Sequence, residues 1–223
     1  MKIVFVLVRP KVQENIGFVC RSMKTMGFTE LRMVNPPELS KKAFVTSYQS
    51  QEVLENATKF TNLKDAISDL DFSVATSAAV RGVHYDSLPI SELNGFLQSK
   101  SGSIKSMAIV FGSEENGLTN DEVGLCDVAT FVPMKTTYPS LNLSHCVMLY
   151  AYELSRLAIQ EKETIEEEEV NYPVFKSKME QLFVKFGITE NELLHQRLVD
   201  RLPYLGKGDA GLLLSAFRYF FNK

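Results

Sequence analysis

An α/β domain built around a mostly parallel sheet is the fold class this sequence predicts. Short apolar runs alternate with helical patterns through the first 160 residues, and recognisable helix start and stop signals separate them. The expected strands are Ile3–Val8, Leu31–Val34, Phe72–Thr76, Met107–Phe111 and Thr130–Val132. The first run ends at Val8 and meets Arg9, Pro10 and Lys11 at once, with no small-residue cleavage site. It reads as a buried strand rather than a secretory leader. Between the first two strands, Ile16, Val19, Cys20, Met23 and Met26 recur at helical spacing, and Gly27 supplies the stop. Thr119-Asn-Asp-Glu122 fits a capping box opening a short helix, and a long helix from Leu143 to about Ile159 closes the domain. In such sheets ligands sit at the carboxyl ends of the strands.

Charge divides the 223 residues into three parts. Residues 1–160 are near neutral, with 15 basic and 16 acidic side chains; residues 161–170 hold six Glu and one Lys; residues 171–223 hold eight basic and five acidic side chains. So dense an acidic run cannot be buried, and the domain boundary is placed there as a linker. The tail from 171 to 223 reads as helical. Ser177-x-x-Glu180 and Thr189-x-x-Glu192 fit capping boxes, Pro203 and Gly206 interrupt, and a last helix runs from Ala210 to Phe221. A tail of this size holds little core alone, so it is expected to pack on the main domain or on a partner subunit. The composition, 45% hydrophobic and 23% charged, excludes disordered, low-complexity and disulfide-dense classes. Three cysteines without a CxxC pair predict reduced thiols, a cytoplasmic location and no structural metal. The overall charge of -3 gives no sign of a nucleic-acid partner.

Several motifs fail on inspection. Gly112 to Gly117 has the spacing of a phosphate-binding loop, but Leu118 stands where a Lys must grip the phosphate. No G-x-G-x-x-G occurs. Asn35-Pro-Pro37 lacks the aromatic residue that would stack on a base, and reads as a turn. His84, His145 and His195 are widely spaced and show no metal or nucleophile pattern.

Three segments carry more than packing. In the first, Asn15-Ile-Gly17 and Arg21 follow the opening strand. In the second, Gly112 and Gly117 bracket an acidic turn after a buried strand, with Glu114 where a lone carboxylate would be costly to bury. In the third, an irregular connection ending in Tyr138-Pro-Ser-Leu-Asn-Leu-Ser144 precedes the long helix, and only one of Ser140, Asn142 and Ser144 can be its N-cap.

Together the blocks NIGFVCRSMKTMG, IVFGSEENGL and FVPMKTTYPSLNLSHCVMLYAYEL resemble, in order and spacing, the SpoU branch of the SPOUT methyltransferases. The VRPKVQENIG opening, TSAAVRG and YAYEL look closest to its TrmJ/LasT-like subgroup. The resemblance implies a deep trefoil knot in the α/β domain, S-adenosylmethionine as methyl donor, a homodimer whose sites draw on both subunits, and a ribose 2'-hydroxyl of RNA as acceptor. For that subgroup the acceptor is tRNA at position 32 of the anticodon loop. An rRNA target, or a catalytically silent RNA-binding factor on the same fold, are the alternatives. Carried over by position, the catalytic set is Asn15, Arg21, Glu114, Ser140 and Asn142. The donor-binding set is Thr76, Ser77, Ala78, Gly112, Val132, Pro139, Ser140 and Leu141, offering mostly backbone groups. Arg9, Lys11, Arg21, Lys24, Arg81 and Lys135 would follow the phosphate backbone. Arg9, the pair His145-Cys146, the long 79–89 segment and the short tail depart from the subgroup's pattern.

Overall fold

Strand β1 (Lys2–Val8) shows why the sheet is covered on both faces. Ile3, Phe5 and Leu7 point into one apolar cluster and Val4, Val6 and Val8 into another. The structure is a computed structural model and describes residues 1–77, 87–100, 102–136, 141–157, 171–189 and 192–221. Around β1 lie β2 (Leu31–Val34), β3 (Thr58–Phe60), β4 (Phe72–Ser77), β5 (Ser87–Pro89), β6 (Ser106–Phe111) and β7 (Val128–Phe131). They form one sheet in the order β3-β2-β1-β6-β4-β7-β5, every pairing parallel. All five expected strands are present, β7 starting two residues earlier than read. The edge strands β3 and β5 were not expected, because three residues carry no period and Pro89 argues against a strand except at an edge.

Helices close both faces. α1 (Gln13–Thr25) buries Ile16, Val19, Cys20 and Met23, and ends where Gly27 takes a φ of 87°. α2 (Lys41–Ser47) packs against it so closely that a Cβ on Gly17 would overlap Thr46 Oγ1 and Ala43 O and lie 2.7 Å from Ser47 N. α3 (Gln51–Glu55), α4 (Leu63–Ile67) and α5 (Ile90–Gln98) connect strands, and α6 (Asn120–Gly124) opens with the expected reciprocal capping box of Thr119 and Glu122. α7 (Leu143–Ser155) lies on the cluster of α1, with Tyr150 edge-on to Phe111 at 5.4 Å.

The tail holds α8 (Tyr172–Lys185), α9 (Leu193–Arg201) and α10 (Lys207–Phe221). Two expected caps are corrected. Ser177 lies inside α8, whose cap is Asn171, and Thr189 belongs to the turn before α9, where Glu192 is the cap residue. A Ser or Thr three residues before Glu is common inside helices too, so the pattern alone cannot locate an end. The tail packs on the main domain rather than standing apart: Tyr172, Phe175 and Met179 join the cluster under the sheet, and Tyr172 meets Phe72 edge-on at 5.1 Å. Burying each such side chain stabilises by about 1.5–3 kcal/mol. Lys176 Nζ, 2.5 Å from Asp127 Oδ1, adds an ion pair at the same junction.

Lys100 is also buried at this junction. It is 5% exposed, donates to Leu205 O at 2.8 Å, and lies over the rings of Phe96 and Tyr172. Burial pushes its pKa down to about 8. Between about pH 8 and 10 the unfolded chain therefore holds the extra proton, so stability is expected to rise with pH across that window. Urea unfolding of the wild type and of Lys100→Met across the same range tests this: the variant should show a flatter rise, and identical slopes would refute it.

Candidate functional site

Parallel strands end their carboxyl termini on one edge, so the loops after β1, β4, β6 and β7 converge there. The loop after β6 is shaped by Gly112. A Cβ at that position would overlap the carbonyl carbon of Gly117 and the amide of Leu118, and would lie 2.6 Å from Gly117 Cα. The glycine is therefore required by close approach of the chain to itself. Gly117, at a φ of 64°, turns the chain back, and its N–H donates to Ser113 O at 3.0 Å.

That turn directs Glu114 at the start of α1. One carboxylate oxygen accepts from Lys11 N at 3.0 Å; the other accepts from Val12 N and from Asn15 Nδ2, both at 3.2 Å. A carboxylate at the positive end of a helix, supplied with amide donors, is stabilised by both effects. Asn15, only 7% exposed, turns its oxygen to Asn142 Nδ2 at 2.8 Å. Asn142 in turn caps α7, accepting from Ser144 N at 2.9 Å and Ser144 Oγ at 2.7 Å. The three segments singled out in the sequence thus meet in one hydrogen-bonded chain, Glu114–Asn15–Asn142–Ser144. Asn142 performs the structural and the site-building task at once.

Beside this chain opens a cleft of about 300 Å³. Thr76, Ser77, Gly112, Val132 and Leu141 line it, which are all the expected donor-binding residues that are described. Ala78, Pro139 and Ser140 lie outside the described residues, as does Arg81. Thr76 Oγ1 donates to Val110 O at 3.0 Å, so its hydroxyl is committed to the neighbouring strand. Val132, Met134, Leu141 and Leu143 give the cleft an apolar wall, and Ser113, Glu114, Glu115 and Asn116 a polar one. Met134, Leu143, Glu115 and Cys146 were missed in the sequence; only the site they flank could have signalled them. Burial pushes the Cys146 thiol up to about 12, so it lines the cleft as an uncharged group.

Arg21 stands apart. It is exposed on α1, its guanidinium 5.8 Å from the ring centre of Tyr48, and it does not line the cleft of its own chain. Three of the expected phosphate-following residues are already paired: Arg9 holds Glu122 with both terminal guanidinium nitrogens, Lys11 reaches Glu115, and Lys24 reaches Glu52. The hydrogen bonds from Arg9 hold the Glu122 carboxyl below its usual range. Arg9 thus ties the end of β1 to the cap of α6. Lys135 is exposed.

An α/β protein with a mixed apolar and polar cleft at the carboxyl edge of its strands, bordered by a buried polar chain, is the class these features define. The SpoU rRNA Methylase family matches residues 2–152, and the chain belongs to that family. It is 37% identical to the uncharacterized tRNA/rRNA methyltransferase LasT of Escherichia coli over 96% of this chain and 94% of the relative. It is 34% identical to the tRNA (cytidine-2'-O-)-methyltransferase TrmJ of Methanocaldococcus jannaschii over 96% of this chain and 97% of the relative. The solved structure of a probable methylase family protein from Haemophilus influenzae superposes with a TM-score of 0.70 at 29% identity, covering 99% of this chain and 97% of the other.

Proposed function

We propose that the protein transfers a methyl group from S-adenosylmethionine to a ribose 2'-hydroxyl of RNA, with tRNA position 32 as the acceptor, and that it works as a homodimer. The observation that carries this reading is the polar chain from Glu114 through Asn15 to Asn142, joining all three motifs beside the cleft. The donor fits that cleft in kind. Its adenine suits the wall of Val132, Leu141 and Leu143, and its cationic methionine end suits the carboxylate-bearing side. When bound, it supplies an already activated methyl group.

The protein's task is then to place the hydroxyl and remove one proton. Asn15 and Asn142 fix each other and hold the rim of the cleft in one arrangement, with Glu114 anchoring the start of α1. Arg21, whose planar guanidinium matches phosphate geometry, is assigned to hold the RNA phosphate and orient the hydroxyl rather than to act as base. Its position outside its own cleft supports a dimer in which it serves the partner subunit's cleft. Phe18, Leu149 and Tyr152, exposed on α1 and α7, support the same arrangement. The family's trefoil knot belongs to this reading and is supported by the match of the family model to residues 2–152. Residues 171–223 are assigned as the helical extension, the acidic linker read at 161–170 lies outside the described residues, and the likeness to a tRNA-modifying relative supports a cytoplasmic location.

Incubation with unmodified tRNA and labelled donor, followed by mapping of 2'-O-methyl groups, tests the proposal. Label at position 32 is expected. Label in rRNA alone would move the target, and donor binding without incorporation into either RNA would favour the silent RNA-binding factor.

A further inference from the structure

We propose that Tyr48 is a nucleobase-stacking residue of the RNA-contacting surface and works as a unit with Arg21. The inference rests on the RNA-directed reading above. Tyr48 adopts φ 47° and ψ -119°, a backbone region that glycine occupies readily and an aromatic residue rarely. The residue is nevertheless 62% exposed, so little burial offsets the strain.

The surrounding turn holds it there. The Tyr48 N–H donates to Val45 O, and Thr46 and Ser47 press against Gly17 where no Cβ could fit. Lys24 Nζ donates to Gln49 O at 2.6 Å on the far side. The corner between α1 and α2 therefore presents an outward aromatic ring from a rigid mount.

Arg21 lies against that ring at 5.8 Å. Lys24 nearby is paired with Glu52, whereas Arg21 makes no ion pair among the described residues. A cation lacking a counter-ion, set beside an exposed aromatic face, suits a ligand that carries both an anion and a flat π-surface. A nucleotide is such a ligand: the guanidinium takes the phosphate and the ring takes the base. Arg21 is the residue assigned above to the RNA phosphate at the partner subunit's cleft. Tyr48 accordingly reads a base flanking the acceptor nucleotide, and stacking makes the contact tolerant of base identity.

Three variants, Tyr48→Ala, Tyr48→Phe and Tyr48→Gly, separate this role from a structural one. Binding of unmodified tRNA, methyl transfer, donor affinity, melting temperature and sedimentation are measured for each. Tyr48→Ala and Tyr48→Gly are expected to raise the KM and Kd for tRNA about tenfold with donor affinity unchanged, and Tyr48→Phe to stay near wild type. Tyr48→Gly relieves the backbone strain, so its melting temperature should hold or rise while RNA binding falls. A structural Tyr48 would lose both together. Wild-type tRNA affinity in the Ala and Gly variants would overturn the inference, as would their dissociation into monomers, which would make Tyr48 a contact between copies. A wild-type protein that binds RNA through Tyr48 yet transfers no methyl would sustain this inference and overturn the enzymatic one; failure of the wild type to bind RNA would overturn both.

Discussion

Gly112→Ala is expected to abolish S-adenosylmethionine binding and to lower the melting temperature by roughly 5 °C, the effect of about 1–3 kcal/mol of overpacking. The atoms that the new methyl group meets are the backbone of Gly117 and Leu118, not the end of a flexible side chain, so no rotamer change relieves the overlap. The turn must open. Opening it stretches the bond from Gly117 N to Ser113 O and withdraws Glu114 from Lys11 N, Val12 N and Asn15 Nδ2. One methyl group thus removes a wall of the cleft and unfastens the start of α1. Calorimetric titration with the donor and a thermal scan measure both consequences. Wild-type donor affinity in the variant would show that the turn can relax elsewhere.

Arg21→Ala is expected to lower methyl transfer by at least about 100-fold while leaving donor affinity within a factor of two. Arg21 lies outside the cleft of its own chain, so its removal leaves the walls intact. On the proposed reading, what disappears is a planar fork that would grip phosphate and place the hydroxyl, and misplacement of a reacting group by about 1 Å can cost about 100-fold. Arg21→Lys should recover little, because an ammonium supplies charge without the paired geometry. Single-turnover rates with tRNA, measured next to donor titrations, separate the two effects. Unchanged turnover in Arg21→Ala would remove this residue from the mechanism.

The polar chain also shows how far the sequence could be read. Asn15, Glu114 and Asn142 were recognisable as candidates from their places just after a strand or before a helix and from the likeness of their blocks to the SpoU branch. That Asn142 faces Asn15 across 127 positions follows only from the stacking of α7 on α1. Lys11 and Lys24 looked like free cations in the sequence, and Arg9 like a departure. Their carboxylate partners lie elsewhere in the chain, up to 113 positions away for Arg9, beyond the reach of any local pattern. The edge strands β3 and β5 escaped for the opposite reason, since three residues hold too little periodicity and their pairing is set by neighbours already in the sheet.

By itself the sequence determined the α/β class, the central strands and the three motif blocks, because hydrophobic period and glycine placement act over a few residues. Tertiary structure alone decided that Asn15 meets Asn142, that the tail joins the main core through Tyr172, Phe175 and Lys176, and that Arg21 stands with Tyr48 outside the cleft. Each of these depends on atoms brought together from distant positions, where close packing and the pairing of buried charge are settled only once the sheet has formed.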